Sequence, residues 1–221
     1  MNKILEVKNL KKYYHDEHNE ILAIDNINLD IYKNEFISIV GPSGCGKSTL
    51  LSILAGLEKQ SNGSIKYKKD NFTIGYMLQK DSLFPWRNIL DNCLIGLEIK
   101  NELSEQKKEK VISLLQKYGM EEFTYNYPNS LSGGMKQRVA LIRTLAINPD
   151  ILLLDEPLSA LDYQTRLSLS NDLYKIIKEE NKTVIMVTHD IGEPDFYYKK
   201  LFYNYPCIRE TSKCRFLTIP W

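Results

Sequence analysis

Nine residues carry the clearest chemistry: Gly41-Pro42-Ser43-Gly44-Cys45-Gly46-Lys47-Ser48-Thr49. They fit G-x-x-x-x-G-K-[ST], a loop that wraps phosphate. Its glycines let the backbone curl, so that successive N–H groups point inward at phosphate oxygens. Lys47 is placed to reach the β and γ phosphates of a nucleoside triphosphate, and the Ser48 hydroxyl to ligate Mg²⁺. Such a loop must join a strand to a helix, whose N-terminal dipole favours the anion. Phe36-Ile37-Ser38-Ile39-Val40 precedes it and Leu50-Leu51-Ser52-Ile53-Leu54-Ala55 follows, as strand and helix respectively. A glycine-rich strand–helix turn without a ligand is the alternative, and the flanking elements favour phosphate.

Two further segments bear on the reaction. Ile151-Leu152-Leu153-Leu154 is a continuous apolar run ending in Asp155-Glu156-Pro157. A buried parallel strand of this kind delivers both carboxylates at its C-terminal end, where ligands bind in open α/β sheets. Asp155 suits Mg²⁺, and Glu156 suits orienting a water for attack on the γ-phosphate. Leu131-Ser132-Gly133-Gly134-Met135-Lys136-Gln137 leads into a helical pattern. Ser132 reads there as an N-cap, or, with Gly133 and Gly134, as a second anion site at a helix N-terminus.

The elements that must hold these residues alternate. Ile4-Leu5-Glu6-Val7 and Ile27-Asn28-Leu29-Asp30-Ile31 read as half-exposed strands. His15-Asp16-Glu17-His18-Asn19-Glu20 between them reads as a solvated loop, with a metal site the alternative. Ser64–Tyr67 and Phe72–Leu78 are further strands, and Asn88 to about Lys117 is one helical stretch. Helices are expected from Gly133 to Ile147 and from Asp162 to about Glu180, and a buried strand at Val184–Val187. Strands alternating with helices predict an α/β core with a parallel sheet.

Composition sets outer bounds. The 221 residues suit one domain, and 43% hydrophobic residues supply a core. With 29 basic and 28 acidic residues, charge makes no general case for nucleic acid. The four cysteines lack metal or redox spacing, which fits a reducing cytosol. No signal peptide is read at the start, and no apolar run nears the roughly 18 residues of a membrane span. Any membrane role is expected to come through a partner.

Together the motifs resemble the nucleotide-binding subunit of ATP-binding cassette (ABC) transporters. Gly41–Thr49 matches the family's Walker A, Ile151–Glu156 its Walker B, and Leu131–Arg138 its LSGGQ-type signature, with Met135 where Gln is usual. Ser159-Ala160-Leu161-Asp162 matches the D-loop, Gln79 the Q-loop glutamine and His189 the switch histidine. The match covers residues 1–193. The resemblance implies a P-loop fold of ABC type: a parallel-sheet core, an N-terminal antiparallel β subdomain, and a helical subdomain at about 80–147 carrying the signature. It also implies a head-to-tail dimer with a second ATPase subunit. Each ATP would lie between Walker A of one chain and Ser132-Gly133-Gly134 of the other. Glu156 would be the general base, His189 would contact the γ-phosphate, Gln79 would sense Mg²⁺ and water, and Tyr14, next to Tyr13, would stack on adenine.

Gln79-Lys80-Asp81-Ser82-Leu83-Phe84-Pro85-Trp86-Arg87-Asn88-Ile89-Leu90-Asp91-Asn92 resembles the corresponding stretch of importer ATPases for nitrate, sulfonates and taurine. Exposed, Leu83–Trp86 would dock a partner; buried, it would be core. The resemblance implies a separate membrane permease meeting this patch, a substrate-binding protein, and a peripheral place on the cytoplasmic membrane face. A hydrolysis-defective ATP binder and a soluble ABC ATPase outside transport are the alternatives. After Glu193 the family pattern stops. One nucleotide later, codons for Tyr203–Ser212 can encode Ile-Ile-Ile-Leu-Val-Leu-Gly-Lys-Pro-Ala, which resembles the absent strand. Residues 194–221 are therefore read as an atypical tail created by a frameshift near codon 194, and as poorly packed.

Overall fold

The computed structural model describes residues 2–15, 19–159 and 161–189, with backbone alone at 167–168, 200–203 and 215–217. The chain forms two compact units, Met1–Phe72 with Lys182–Trp221, and Thr73–Asn181.

In the first unit, β1 (Lys3–His15) and β2 (Glu20–Tyr32) form an antiparallel ribbon, and β4 (Asn62–Tyr67) pairs antiparallel with the other edge of β1. These strands run well beyond the two short segments expected. Register shifts interrupt the pairing between Val7 and Leu10 and between Leu10 and Tyr13, so simple alternation fails there. Asn9 and Asn26 take positive φ of 50° and 51°, a conformation asparagine tolerates. Leu5, Val7, Leu10, Ile24, Leu29 and Ile31 still fill the buried face.

The same unit holds the parallel pair β3 (Phe36–Val40) and β7 (Thr183–Thr188), with Phe36 opposite Val184 and Val40 opposite Thr188. Every residue of β7 is buried, which explains its unbroken apolar reading. The backbone of β8 (Lys200–Tyr203) runs parallel along the other edge of β3, and β9 (Arg215–Leu217) lies antiparallel beside β8. Beyond those two backbone segments, the expectations for residues 194–221 lie outside the described residues. The helix α1 (Lys47–Leu54) follows the loop after β3. The Tyr67 hydroxyl donates to the Leu54 carbonyl at 2.7 Å, tying β4 to the end of that helix.

The second unit carries the parallel pair β5 (Ile74–Met77) and β6 (Ile151–Asp155) with four helices. These are α2 (Ile89–Ile99), α3 (Glu105–Lys117), α4 (Gly133–Ala146) and α5 (Tyr163–Glu179). One helical stretch was expected from Asn88 to Lys117, and two helices stand there. Asn101 at φ 53° ends the first, and the Ser104 side chain caps the second by accepting from Lys107 N. Neither Gly nor Pro marks the break. α2 and α4 pack closely enough that a Cβ on Gly96 would lie 2.6 Å from Ile147 Cγ2. Between them Cys93 is wholly buried, and burial pushes its thiol up to about 12.

Candidate functional site

The site residues fall into two groups, one in each unit. In the first unit, β3 delivers the phosphate loop and α1 receives it. Gly46 stands at φ 93°, and a Cβ there would meet the Ala23 carbonyl oxygen at 2.4 Å. Both its conformation and its space demand glycine. Gly44 at φ 81° shares the conformation, with open space around its Cα. Lys47 is buried, and its ammonium donates to the carbonyls of Gly41 at 2.7 Å and Pro42 at 3.0 Å. The lysine thus bridges the loop and holds its charge where phosphate would sit. The N-cap of α1 is Gly46, which offers no side-chain cap, so the helix N-terminus adjoins the loop through backbone alone.

The loop is also tied to β7. Gly41 N donates to the Thr188 carbonyl at 3.4 Å. His189 leaves the strand one residue later, exposed and level with the start of the loop. At the loop's other end, the Tyr14 hydroxyl lies 3.4 Å from Thr49 Oγ1. Tyr13 projects from the opposite side of β1.

In the second unit, β6 is buried throughout and ends in Asp155, whose Oδ2 accepts from the Tyr76 hydroxyl at 3.1 Å. The chain then reverses. Glu156 takes φ 45°, and both the amide and hydroxyl of Ser159 donate to its carbonyl at 3.1 Å. A left-handed glutamate costs on the order of 1–3 kcal/mol, and such strain gathers at functional sites. Gln79, two residues past β5, donates from Nε2 to Glu156 Oε2 at 3.1 Å and lies 3.5 Å from Ser159 Oγ. The Q-loop glutamine and the candidate base are therefore in direct contact.

Ser132 caps α4, accepting from Met135 N at 3.3 Å. The two glycines that follow meet α5 and the turn before it. A Cβ on Gly133 would lie 3.2 Å from Leu161 Cδ2, and one on Gly134 2.8 Å from Leu169 Cδ1. Asp162 caps α5 through Thr165 N at 3.1 Å, and its hydrogen bonds with Thr165 hold its carboxyl below the usual range. Ala160 lies outside the described residues.

The stretch Leu83–Trp86 is neither wholly core nor wholly surface. Leu83 is buried, while Trp86 is 71% exposed and leans on Phe84 with ring centroids 5.3 Å apart. Asn92, fully buried on α2, holds this ledge in place. Its Oδ1 accepts from Phe84 N at 2.7 Å, and its Nδ2 donates to the carbonyls of Phe84, Arg87 and Asn88 at 3.1, 2.9 and 2.9 Å. Arg143, on α4, donates to the carbonyls of Asp81 at 2.6 Å and Ser82 at 2.8 Å. Sequence reasoning assigned no role to Tyr76, Asn92 or Arg143. Asn92 closes the Gln79–Asn92 motif, but only its neighbours in space reveal what it holds.

A phosphate-wrapping loop and a strand-end carboxylate pair under a glutamine are the parts of a nucleoside-triphosphate hydrolase. A family model described as ABC transporter matches residues 24–159. The chain belongs to the ABC transporter family. It is an ATP-binding, ATP-hydrolysing subunit with the ABC ATPase fold.

Among its relatives, an uncharacterized ABC transporter ATP-binding protein, YtlC of Bacillus subtilis, is 48% identical over 86% of this chain and 75% of that protein. The spermidine/putrescine import ATP-binding protein PotA of Borreliella afzelii is 46% identical over 87% of this ABC chain, which spans 57% of PotA. The aliphatic sulfonates import ATP-binding protein SsuB of Bacillus cereus is 37% identical over 86% of this chain and 76% of that protein. The dimeric post-hydrolysis structure of the ATP-binding cassette MJ0796, bound to ADP and Pi, superposes with a TM-score of 0.81. It is 33% identical and covers 99% of this chain and 100% of its own. Among the described residues of this ABC subunit, no helix is long and apolar enough to cross a membrane.

Proposed function

We propose that the chain is the motor of an importer, working as a head-to-tail pair of copies on the cytoplasmic face of a membrane permease. Each ATP lies between Gly41–Thr49 of one copy and Ser132-Gly133-Gly134 of the other, with Asp162 of the D-loop lining the same junction. The ADP- and Pi-bound MJ0796 dimer, 33% identical, supports this arrangement. Lys47 then gives up its loop carbonyls for the β and γ phosphates. Glu156 takes the proton of the attacking water, and His189 and Gln79 hold that water and the γ-phosphate in line.

Ser48, Asp155 and Gln79 offer oxygen donors to Mg²⁺, which would neutralise charge developing on the phosphates. The donor set fits this ion. Among the described residues no group of three or more His, Cys, Asp or Glu forms a metal cage. Mg²⁺ in phosphate sites relies on one or two protein groups plus the phosphate oxygens.

The observation that carries the importer reading is the Phe84–Trp86 ledge, with Trp86 exposed and Phe84 half-buried, hydrogen-bonded to Asn92 and a few residues beyond Gln79. A permease segment seated there would bear on the glutamine that touches Glu156. A substrate-binding protein would present the cargo on the far side. SsuB similarity and the Gln79–Asn92 motif support a small solute of the nitrate, sulfonate or taurine type. PotA similarity supports import more broadly. The test is ATP turnover in membranes carrying the permease found by co-purification, for the wild type and Trp86→Ala. Stimulation by permease in the wild type and its loss in Trp86→Ala is the expected result. Equal stimulation of both would remove Trp86 from the junction.

A further inference from the structure

Tyr14 is more than a surface aromatic near the phosphate loop, because three groups fix it. Its hydroxyl donates to Glu58 Oε2 at 2.8 Å and lies 3.4 Å from Thr49 Oγ1. Lys12 stands two residues earlier on β1, across a register shift. The Lys12 ammonium stands 4.9 Å from the Tyr14 ring centroid. That ammonium also pairs with Glu58 Oε1 at 2.9 Å and donates to the Lys59 carbonyl at 2.9 Å. Glu58 thus spends one oxygen on the tyrosine hydroxyl and the other on the lysine.

Glu58 and Lys12 keep only 28% and 13% of their side chains exposed, whereas Tyr14 is 39% exposed. The anchors are sheltered and the ring is presented. Glu58 follows α1 by four residues, so the segment leaving the phosphate loop's own helix sets the ring's position. A planar base stacks best on a ring already held still, since little further freedom is lost on binding.

We propose that Glu58, together with Lys12, is a positioning residue for the nucleotide base: it locks Tyr14 as a stacking platform at a fixed offset from the phosphate loop. The proposal rests on the reading of Tyr14 as the adenine-stacking residue. The ligand class is a purine nucleoside triphosphate recognised through its ring face.

The test is calorimetric titration of the full chain with ATP and with tripolyphosphate, which has no base. Tyr14→Ala should weaken ATP about ten- to a hundredfold and leave tripolyphosphate unchanged. Glu58→Leu and Tyr14→Phe should each weaken ATP about three- to tenfold, again sparing tripolyphosphate. Glu58→Gln keeps an acceptor for the tyrosine hydroxyl and should recover most of the affinity. If Tyr14→Ala weakens ATP while Glu58→Leu and Tyr14→Phe do not, the positioning role is overturned and the stacking role stands. If Tyr14→Ala binds ATP normally, the stacking reading fails and takes the proposal with it. Equal losses for ATP and tripolyphosphate in Glu58→Leu would show a general effect on the loop and overturn the proposal as well.

Discussion

The phosphate loop and the Asp81–Asn88 loop are both short irregular segments near a candidate catalytic residue, yet they are held in opposite ways. The phosphate loop is fixed mainly by its own backbone: glycine conformations at Gly44 and Gly46 and the Gly41–Thr188 hydrogen bond, with the Lys47 ammonium on the carbonyls of Gly41 and Pro42. The Asp81–Asn88 loop is fixed by two side chains, Asn92 on the adjoining α2 and Arg143 on the distant α4, that bind its backbone. Backbone-built shape suits a ligand that is mostly phosphate, because N–H groups and a helix terminus supply the contacts. Side-chain clamping suits a protein partner, because it leaves Trp86 exposed against a half-buried Phe84.

The sharpest way to break this contrast is at the chemistry next to each loop. Glu156→Gln should lower turnover by about a thousandfold or more while ATP still binds, as single-turnover assays would show. Turnover within tenfold of wild type would mean that the strained glutamate is not the base. Next is Gly46→Ala, which must adopt φ 93° against the Ala23 carbonyl. It should cost at least about 2 kcal/mol in denaturant unfolding and remove most ATP affinity.

The side-chain clamp predicts a different pattern. Asn92→Ala removes the side chain's four hydrogen bonds to the ledge, although Phe84 O keeps Arg87 N and Asn88 O keeps the residue-92 amide, and should destabilise by about 2–3 kcal/mol. ATP affinity of the folded fraction should stay near wild type. A large affinity loss in that variant would show that the two loops are not held independently. Arg143→Lys keeps the charge but loses the fork to two carbonyls, and should cost about 1 kcal/mol. The smallest effect is at Asp162, whose carboxyl is exposed and titrates below its usual range. Its contribution is present above the ordinary carboxylate pKa and is lost as pH falls through the lowered native value. Asp162→Asn keeps a cap and should flatten that acid limb of the stability curve, with little change at neutral pH. An unchanged limb would assign it to other carboxylates.

Sequence legibility followed the same division. The phosphate loop, the Asp155-Glu156 strand end and the Ser132 cap were readable because local spacing alone sets them. The long β1–β2 ribbon was read short, because bulges break the period-2 pattern on which the reading depends. The α2–α3 break was missed because Asn101 and Ser104 signal it weakly beside Gly and Pro. Whether Leu83–Trp86 docks a partner or joins the core is not legible in the sequence, since exposure depends on what packs against it.

What the sequence determined by itself is the chemistry: a triphosphate-binding loop, two carboxylates at a strand end, and the order of motifs that places the chain among ABC transporters. These rest on contacts between residues near in the chain or on strict residue identity. What only the tertiary structure decided is who holds each group. Tyr76 on Asp155, Gln79 on Glu156, Glu58 on Tyr14 and Asn92 under the ledge are pairs brought together by folding. Except for Asn92 and its ledge, the partners lie more than forty residues apart, as between Tyr14 and Glu58. No local pattern encodes such pairs, because burial and strand register, set by the whole core, choose them.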